Sequence, residues 1–143
     1  MNDPFDLQRF IKAQRDLYET ALEELHGGSK RSHWMWFIFP QLSGLGHSPT
    51  AQFFAIQSVQ EARAYLEHPL LGPRLQECVE AVLPWSASRT ADEIFGPIDS
   101  MKLRSCLTLF GQLEPKSVFD CALAAFYGSD PDERTLALLN AGR

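Results

Sequence analysis

The sequence predicts an all-α fold, a compact bundle of about seven helices, several of them short, with no significant sheet. Three observations predict it. A long segment near the N-terminus repeats its apolar residues at helical spacing. Capping residues and Gly or Pro stops punctuate most of the rest. The one apolar run that would also suit a buried strand, around Trp36, has no partner strand visible elsewhere.

From Asp3 to Leu25 the residues Leu7, Phe10, Ile11, Gln14, Leu17, Tyr18, Ala21, Leu22 and Leu25 lie on one helical face, with Asp3 as N-cap, Pro4 at the first helical position and Gly27-Gly28 as the stop. Ser32 is expected to cap a short helix from His33 to about Ile38, ended by Pro40, and Gln41 to Pro49 reads as a loop with Gly44 and Gly46. Ser48 or Thr50 then caps Ala51 to about Gln57. Ser58, with Glu61 three residues on, opens a run that ends at His68-Pro69. Leu70 to Val82 forms the next helix, with Pro73 tolerable only in its first turn. Thr90 and Glu93 make a second capping box before a single turn that stops at Gly96-Pro97. Asp99 is expected to cap a helix whose core face is Leu103, Cys106, Leu107 and Phe110. Ser117 caps Val118 to Tyr127, which Gly128 stops, and Asp130 to Glu133 start the last helix with an acidic first turn that suits the helix dipole.

Length and composition bound what these helices can do. With 143 residues, 45% hydrophobic and 22% charged, residues 1–143 suit one domain able to bury its own core. The aromatic run Trp34 to Phe39 has six residues and no apolar run exceeds the seven of Cys121 to Tyr127, far short of the roughly 20 that span a bilayer, so no membrane partner is expected. The start Met-Asn-Asp-Pro-Phe-Asp lacks the basic and apolar regions of a secretory signal, and a cytoplasmic location is the expectation. Cys78, Cys106 and Cys121 are odd in number, lack Cys-x-x-Cys spacing and sit in apolar periodic segments, which reads as reduced, buried thiols. A net charge of −5 argues against charge-driven binding to nucleic acid. Against that acidic background no Asp or Glu occurs between Glu24 and Glu61, and the stretch opens with Lys30 and Arg31. Such a segment suits burial or the acceptance of an anion.

Standard chemistry is not signalled. The four histidines have no metal-ligand spacing, no Gly-x-Ser-x-Gly is present, and Gly44-Leu45-Gly46 lacks the third glycine and lysine of a phosphate loop. Neither a metal nor a cofactor is expected. What remains is a constellation. Lys30, Arg31, Ser32 and His33 fall at an expected helix N-terminus, where free N–H groups and the dipole favour an anion. Trp34 and Trp36 project to opposite sides of that helix, so one at most would stack on a ligand. The plain alternative is that both cations are solvated and the aromatic residues are all core. Arg104 and Thr108, one turn apart and off the core face, form a second candidate, with an exposed Arg104 or its pairing to Glu114 or Asp99 as the alternative. His47 beside Ser48 and Thr50 offers acid–base chemistry in principle, and Gln41 a neutral hydrogen-bonding group.

Several strings carry a resemblance. Asp3 to Phe10, Lys30 to Leu42, Gly44 to Gly46, Ser48 to Ala51, Glu61 to Leu66, His68 to Leu75, Lys102 to Ser105 and Thr108 to Phe110 resemble the bacterial family known as domain of unknown function 1810, over Asp3 to about Leu139. The resemblance implies a compact, mainly helical domain and no activity. The calpastatin label sometimes attached to its members does not fit, because calpastatin is disordered and this composition is that of a packed domain.

The resulting expectation is a pocket where the Ser29–Thr50 segment meets the helix bearing Arg104, taking a small anionic or nucleotide-like ligand. In it Lys30, Arg31 and Arg104 would meet the anion, Trp34 or Trp36 would stack, and His33 or His47 would hydrogen-bond. The alternatives are an interaction module or homodimer with the aromatic run at its interface, and a hydrolase or glycosidase acting on a nucleotide or ADP-ribose-like substrate.

Overall fold

The computed structural model describes residues 2–142. Among these the chain forms α1 (Gln8–Gln14), α2 (Tyr18–His26), α3 (Met35–Ile38), α4 (Pro49–Phe54), α5 (Val59–Glu67), α6 (Leu71–Val82), a 3-10 turn (Leu83–Ala87), α7 (Ala91–Phe95), α8 (Pro97–Leu113), α9 (Val118–Tyr127) and α10 (Glu133–Ala141). Seven of the ten α-helices have at least seven residues and three are short. The all-α expectation holds.

α8 is the axis of the fold. It packs against α5, α7, α9 and α10, and Leu103, Cys106, Leu107, Leu109 and Phe110 are all buried. α6 forms the second layer, against α2, α5 and α9, while α1, α3 and α4 close one end. The first turn of α6 admits no side chain at Gly72, where a Cβ would lie 2.0 Å from the Leu66 carbonyl oxygen of α5. One continuous core joins Phe10, Trp34, Tyr65, Phe110 and Phe119.

Most caps act where the sequence puts them. Ser48, Ser58, Thr90, Ser117 and Asp132 each accept a hydrogen bond from the first turn that follows. Thr90 and Glu93 complete a reciprocal box. At Ser58 only half of a box forms, because Glu61 turns its Oε1 to the Gln57 N–H instead, at 3.0 Å.

Other boundaries differ for tertiary reasons. The expected Asp3–Leu25 helix is two helices, broken at residues 15–17, because α1 packs on α3 whereas α2 packs on α6. The break lets buried Gln14 donate to the Phe37 carbonyl at 2.7 Å and Tyr18 bond Glu77. Asp3 caps nothing directly. Its carboxylate accepts from the Leu7 and Gln8 N–H groups across a turn, and α1 starts only at Gln8. α4 ends at Phe54 rather than Gln57, since Ile56 instead donates to the Gln41 carbonyl at 2.9 Å and accepts from the Ser43 N–H at 2.8 Å. This isolated parallel bridge between Leu42 and Ile56 pins the loop that follows Pro40. α8 starts at Pro97, with Gly96 as its N-cap, so Asp99 lies inside the first turn and is not the cap. Cys121 is exposed, unlike Cys78 and Cys106.

Candidate functional site

The basic segment after α2 already holds an anion, and it belongs to the chain. Glu24 on α2 accepts from the Arg31 N–H at 2.7 Å, the Ser32 N–H at 2.9 Å, the Ser32 hydroxyl at 2.6 Å and Trp34 Nε1 at 2.9 Å. Burial pushes the Glu24 carboxyl up, but these four donors outweigh it and hold it down at about 2. Ser32 therefore serves Glu24 and does not cap α3, whose N-cap is Trp34 with no side-chain bond. Lys30 is committed as well. Its Nζ lies 3.0 Å from Asp99 Oδ2, donates to the Ser32 carbonyl at 2.6 Å and sits 4.9 Å from the Trp34 ring centroid.

Trp34 is buried, so the residue does not stack on a ligand. Most of the aromatic run is core, since Met35, Phe37, Ile38 and Phe39 are buried with it. Only Trp36 is half-buried, with Lys102 Nζ 5.1 Å from its ring centroid. Arg31 and His33 are exposed.

A cleft of about 200 Å³ opens where the Gln41–Gly46 loop faces α8 and the start of α10. The Leu42–Ile56 bridge fixes the loop's entry. Gly46 then lies so close to Ala51 that a Cβ would fall 2.6 Å from the Ala51 Cβ and 3.3 Å from Gln41 Nε2, so only glycine lets the loop pack beside Gln41. From α8, Ile98, Met101, Lys102 and Ser105 line the cleft at i, i+3, i+4 and i+7, the spacing of one helix face, with Arg104 beside them. Leu45 supplies the loop's apolar contribution, and Asp132 and Arg134 come from the start of α10.

The polar groups are held differently. Arg104 donates Nε to the Asp130 carbonyl at 2.8 Å and Nη2 to the Pro131 carbonyl at 3.1 Å, and pairs with the Asp130 carboxylate at 2.5 Å. This partner is neither Glu114 nor Asp99. Thr108 is buried under the cleft, donating to the Arg104 carbonyl at 2.8 Å and accepting from the Asp132 N–H at 2.9 Å, so it locks α8 to α10 and contacts no ligand space. Asp132 Oδ2 accepts from Ser105 Oγ at 3.2 Å and from the Thr135 N–H at 3.0 Å. Lys102 reaches Asp99 at 3.5 Å. Arg134 is exposed, pairs with no carboxylate among the described residues, and reaches only the Gly44 carbonyl at 3.5 Å.

Of the residues singled out from the sequence, Gln41 and Arg104 line this cleft, and Trp36 borders it through Lys102. Lys30, Arg31, Ser32, His33, Trp34 and His47 do not. The lining residues Lys102, Ser105, Asp132 and Arg134 were missed, as were Ile98 and Met101. The last two carried a signal: they are large apolar residues off the α8 core stripe, and they are 71% and 67% exposed. A wider groove of about 640 Å³ lies by the N-terminal turn, lined by Asp3, Phe5, Leu7, Ile11, Ala64 and His68 among others. It holds no Lys or Arg, and His68 Nδ1 already accepts from the Leu70 and Leu71 N–H groups. Among the described residues no three His, Cys, Asp or Glu side chains gather as a metal site would require, and no helix is long and apolar enough to cross a membrane.

Fold and cleft define an all-helical protein built on a central helix, one face of which is left open beside a glycine-bearing loop. The chain belongs to the family described as "Protein of unknown function (DUF1810)", whose profile matches residues 4–139. It is similar to a conserved hypothetical protein, Rv1873, of Mycobacterium tuberculosis, whose crystal structure superposes with a TM-score of 0.94 at 52% identity, over 96% of this chain and 99% of that one. No curated protein matches. The resemblance carried by the Asp3–Phe10 and Lys30–Leu42 strings is thus a family membership, and neither comparison names an activity.

Proposed function

We propose that the protein binds a small anionic or nucleotide-like ligand in the cleft between the Gln41–Gly46 loop and α8. The observation that carries this reading is the convergence of Lys102, Arg104, Arg134 and Gln41 on one concave site that also exposes Ile98 and Met101. The cations that would meet the ligand are those of α8 and α10, in place of Lys30 and Arg31. Binding fits better than turnover. Hydrolysis needs a carboxylate or histidine placed to activate water, whereas Asp132 is held through its Oδ2 by Ser105 and Thr135 and neither His33 nor His47 lines the cleft. A cytoplasmic setting suits the three free cysteines.

Thermal melting in the presence of phosphate, benzoate or AMP tests the proposal. A ligand at one hundred times its Kd stabilises by about 2.7 kcal/mol, which raises the Tm of a chain this size by roughly 5–10 °C. Methyl NMR signals of Ile98 and Met101 are expected to move on titration. If none of the probes at millimolar concentration shifts either the melt or those methyl signals, the reading fails. The exposed Ile98 and Met101 favour one second reading, a self-association surface on α8. Sedimentation that gives a monomer at high concentration, with Met101→Lys without effect, removes it.

A further inference from the structure

The cleft's charges specify more than an anion, and the following rests on the binding reading above. Four cations line it or share its ion pairs, Lys30, Lys102, Arg104 and Arg134, and three carboxylates face them. Asp99 is shared by Lys30 and Lys102, Asp130 holds Arg104, and Asp132 forms part of the wall. The surplus is one positive charge. It arises where Lys30 and Lys102 share Asp99, and the cation with no carboxylate partner among the described residues is Arg134, whose weak contact to the Gly44 carbonyl at 3.5 Å is readily exchanged.

A polyphosphate would need more. Such groups are cradled by free backbone N–H groups and several uncommitted cations. Here α8 opens on Pro97, which has no N–H, and at the start of α10 the Thr135 N–H is taken by the chain's own Asp132. A nucleoside diphosphate would therefore set two or more negative charges beside Asp132 with only Arg134 and the half-neutralised Lys102 to answer them. Size points the same way. At about 200 Å³ the cleft falls below the roughly 300–1,000 Å³ of drug-sized sites, and suits about one ring with a short arm. The apolar side of the site is real: Leu45, Ile98 and Met101 present their side chains to the same space.

We infer that the cleft takes a small monocarboxylate with an apolar body, its carboxylate on the Arg134 guanidinium and its body against Ile98 and Met101. Arginine suits this task because its planar fork matches a carboxylate with two parallel N–H···O bonds.

Four probes separate the possibilities, with Kd measured by calorimetry and the site located by the Ile98 and Met101 methyl signals. Benzoate should bind. Acetate, which has the charge without the body, should bind at least about tenfold more weakly. Pyrophosphate and AMP should bind no better than acetate. Arg134→Ala should weaken benzoate by about tenfold or more, and Arg134→Lys by less, because a point charge keeps the attraction and loses the fork. Arg134 is exposed, so both variants should melt with the wild-type protein. Pyrophosphate or AMP binding in the cleft more tightly than benzoate would overturn the monocarboxylate assignment and leave the anion site standing. Benzoate binding untouched by Arg134→Ala would overturn it too. Silence from all four probes would overturn both readings.

Discussion

Replacing Glu24 with glutamine removes a charge from a carboxylate that accepts four hydrogen bonds between 2.6 and 2.9 Å from Arg31, Ser32 and Trp34. Its carboxyl stands at about 2 rather than its ordinary 4.5. At about 1.4 kcal/mol per pH unit, full conversion of that difference would be worth roughly 3 kcal/mol. Glu24 is only half-buried, and solvent screening reduces the expected loss to about 2 kcal/mol, or a fall in Tm of about 4–8 °C. The sign with pH follows from the folded value lying below the unfolded one. The charged form's contribution is complete above about pH 5 and is lost as pH falls from there towards 2. Urea unfolding followed by tryptophan fluorescence at pH 7, 5, 4 and 3 should show wild type and Glu24→Gln well separated at pH 7 and converging below pH 4. A gap that stays constant over that range, or one below about 0.5 kcal/mol at pH 7, would refute the claim that this segment is organised around an internal anion.

Two further outcomes follow from buried and exposed groups elsewhere. Arg9 bonds the carbonyls of Phe5, Asp6, Phe53 and Ala55 and pairs with Glu61 at 2.6 Å, with the two side chains 8% and 3% exposed. Arg9→Met should cost about 3–5 kcal/mol in urea unfolding, because it strands a buried carboxylate, and the added change Glu61→Leu should recover part of that loss. Thiol labelling with a disulfide reagent at pH 8 should modify exposed Cys121 alone in the native protein and all three cysteines in denaturant, since burial pushes Cys78 up to about 12 and raises Cys106 as well.

Helix starts were legible wherever the determinant is local. Ser48, Ser58, Thr90, Ser117 and Asp132 each satisfy an N–H two or three residues away, and that geometry is written in the sequence. Asp99 was misread because Pro97 can open a helix unaided, which freed the Asp99 carboxylate for Lys30 and Lys102. The break between α1 and α2 was hidden because the apolar period runs through it. What ends α1 is the divergence of its packing partners, and periodicity does not encode that.

The site divides in the same way. The expectation was a meeting of the Ser29–Thr50 segment with the Arg104 helix, and of that segment Gln41, Leu45 and Gly46 border the cleft. The charges were not assigned correctly, since a cation's meaning depends on what is brought opposite it. Lys30 and Asp99 are far apart in the chain and 3.0 Å apart in space, and Arg134 reaches Gly44 from the other end of the protein.

By itself, the order of residues determined the helical class, most of the caps and the α8 core stripe, because hydrogen bonds within a turn and apolar spacing along one face act over a few residues. The tertiary structure alone decided which polar groups are spent and which are free. It seated Glu24 on the Arg31–Ser32 amides, Asp99 on Lys30 and Asp130 on Arg104, and left Arg134 beside Ile98 and Met101. Electrostatic neutralisation depends on distance through space, and only folding sets that distance.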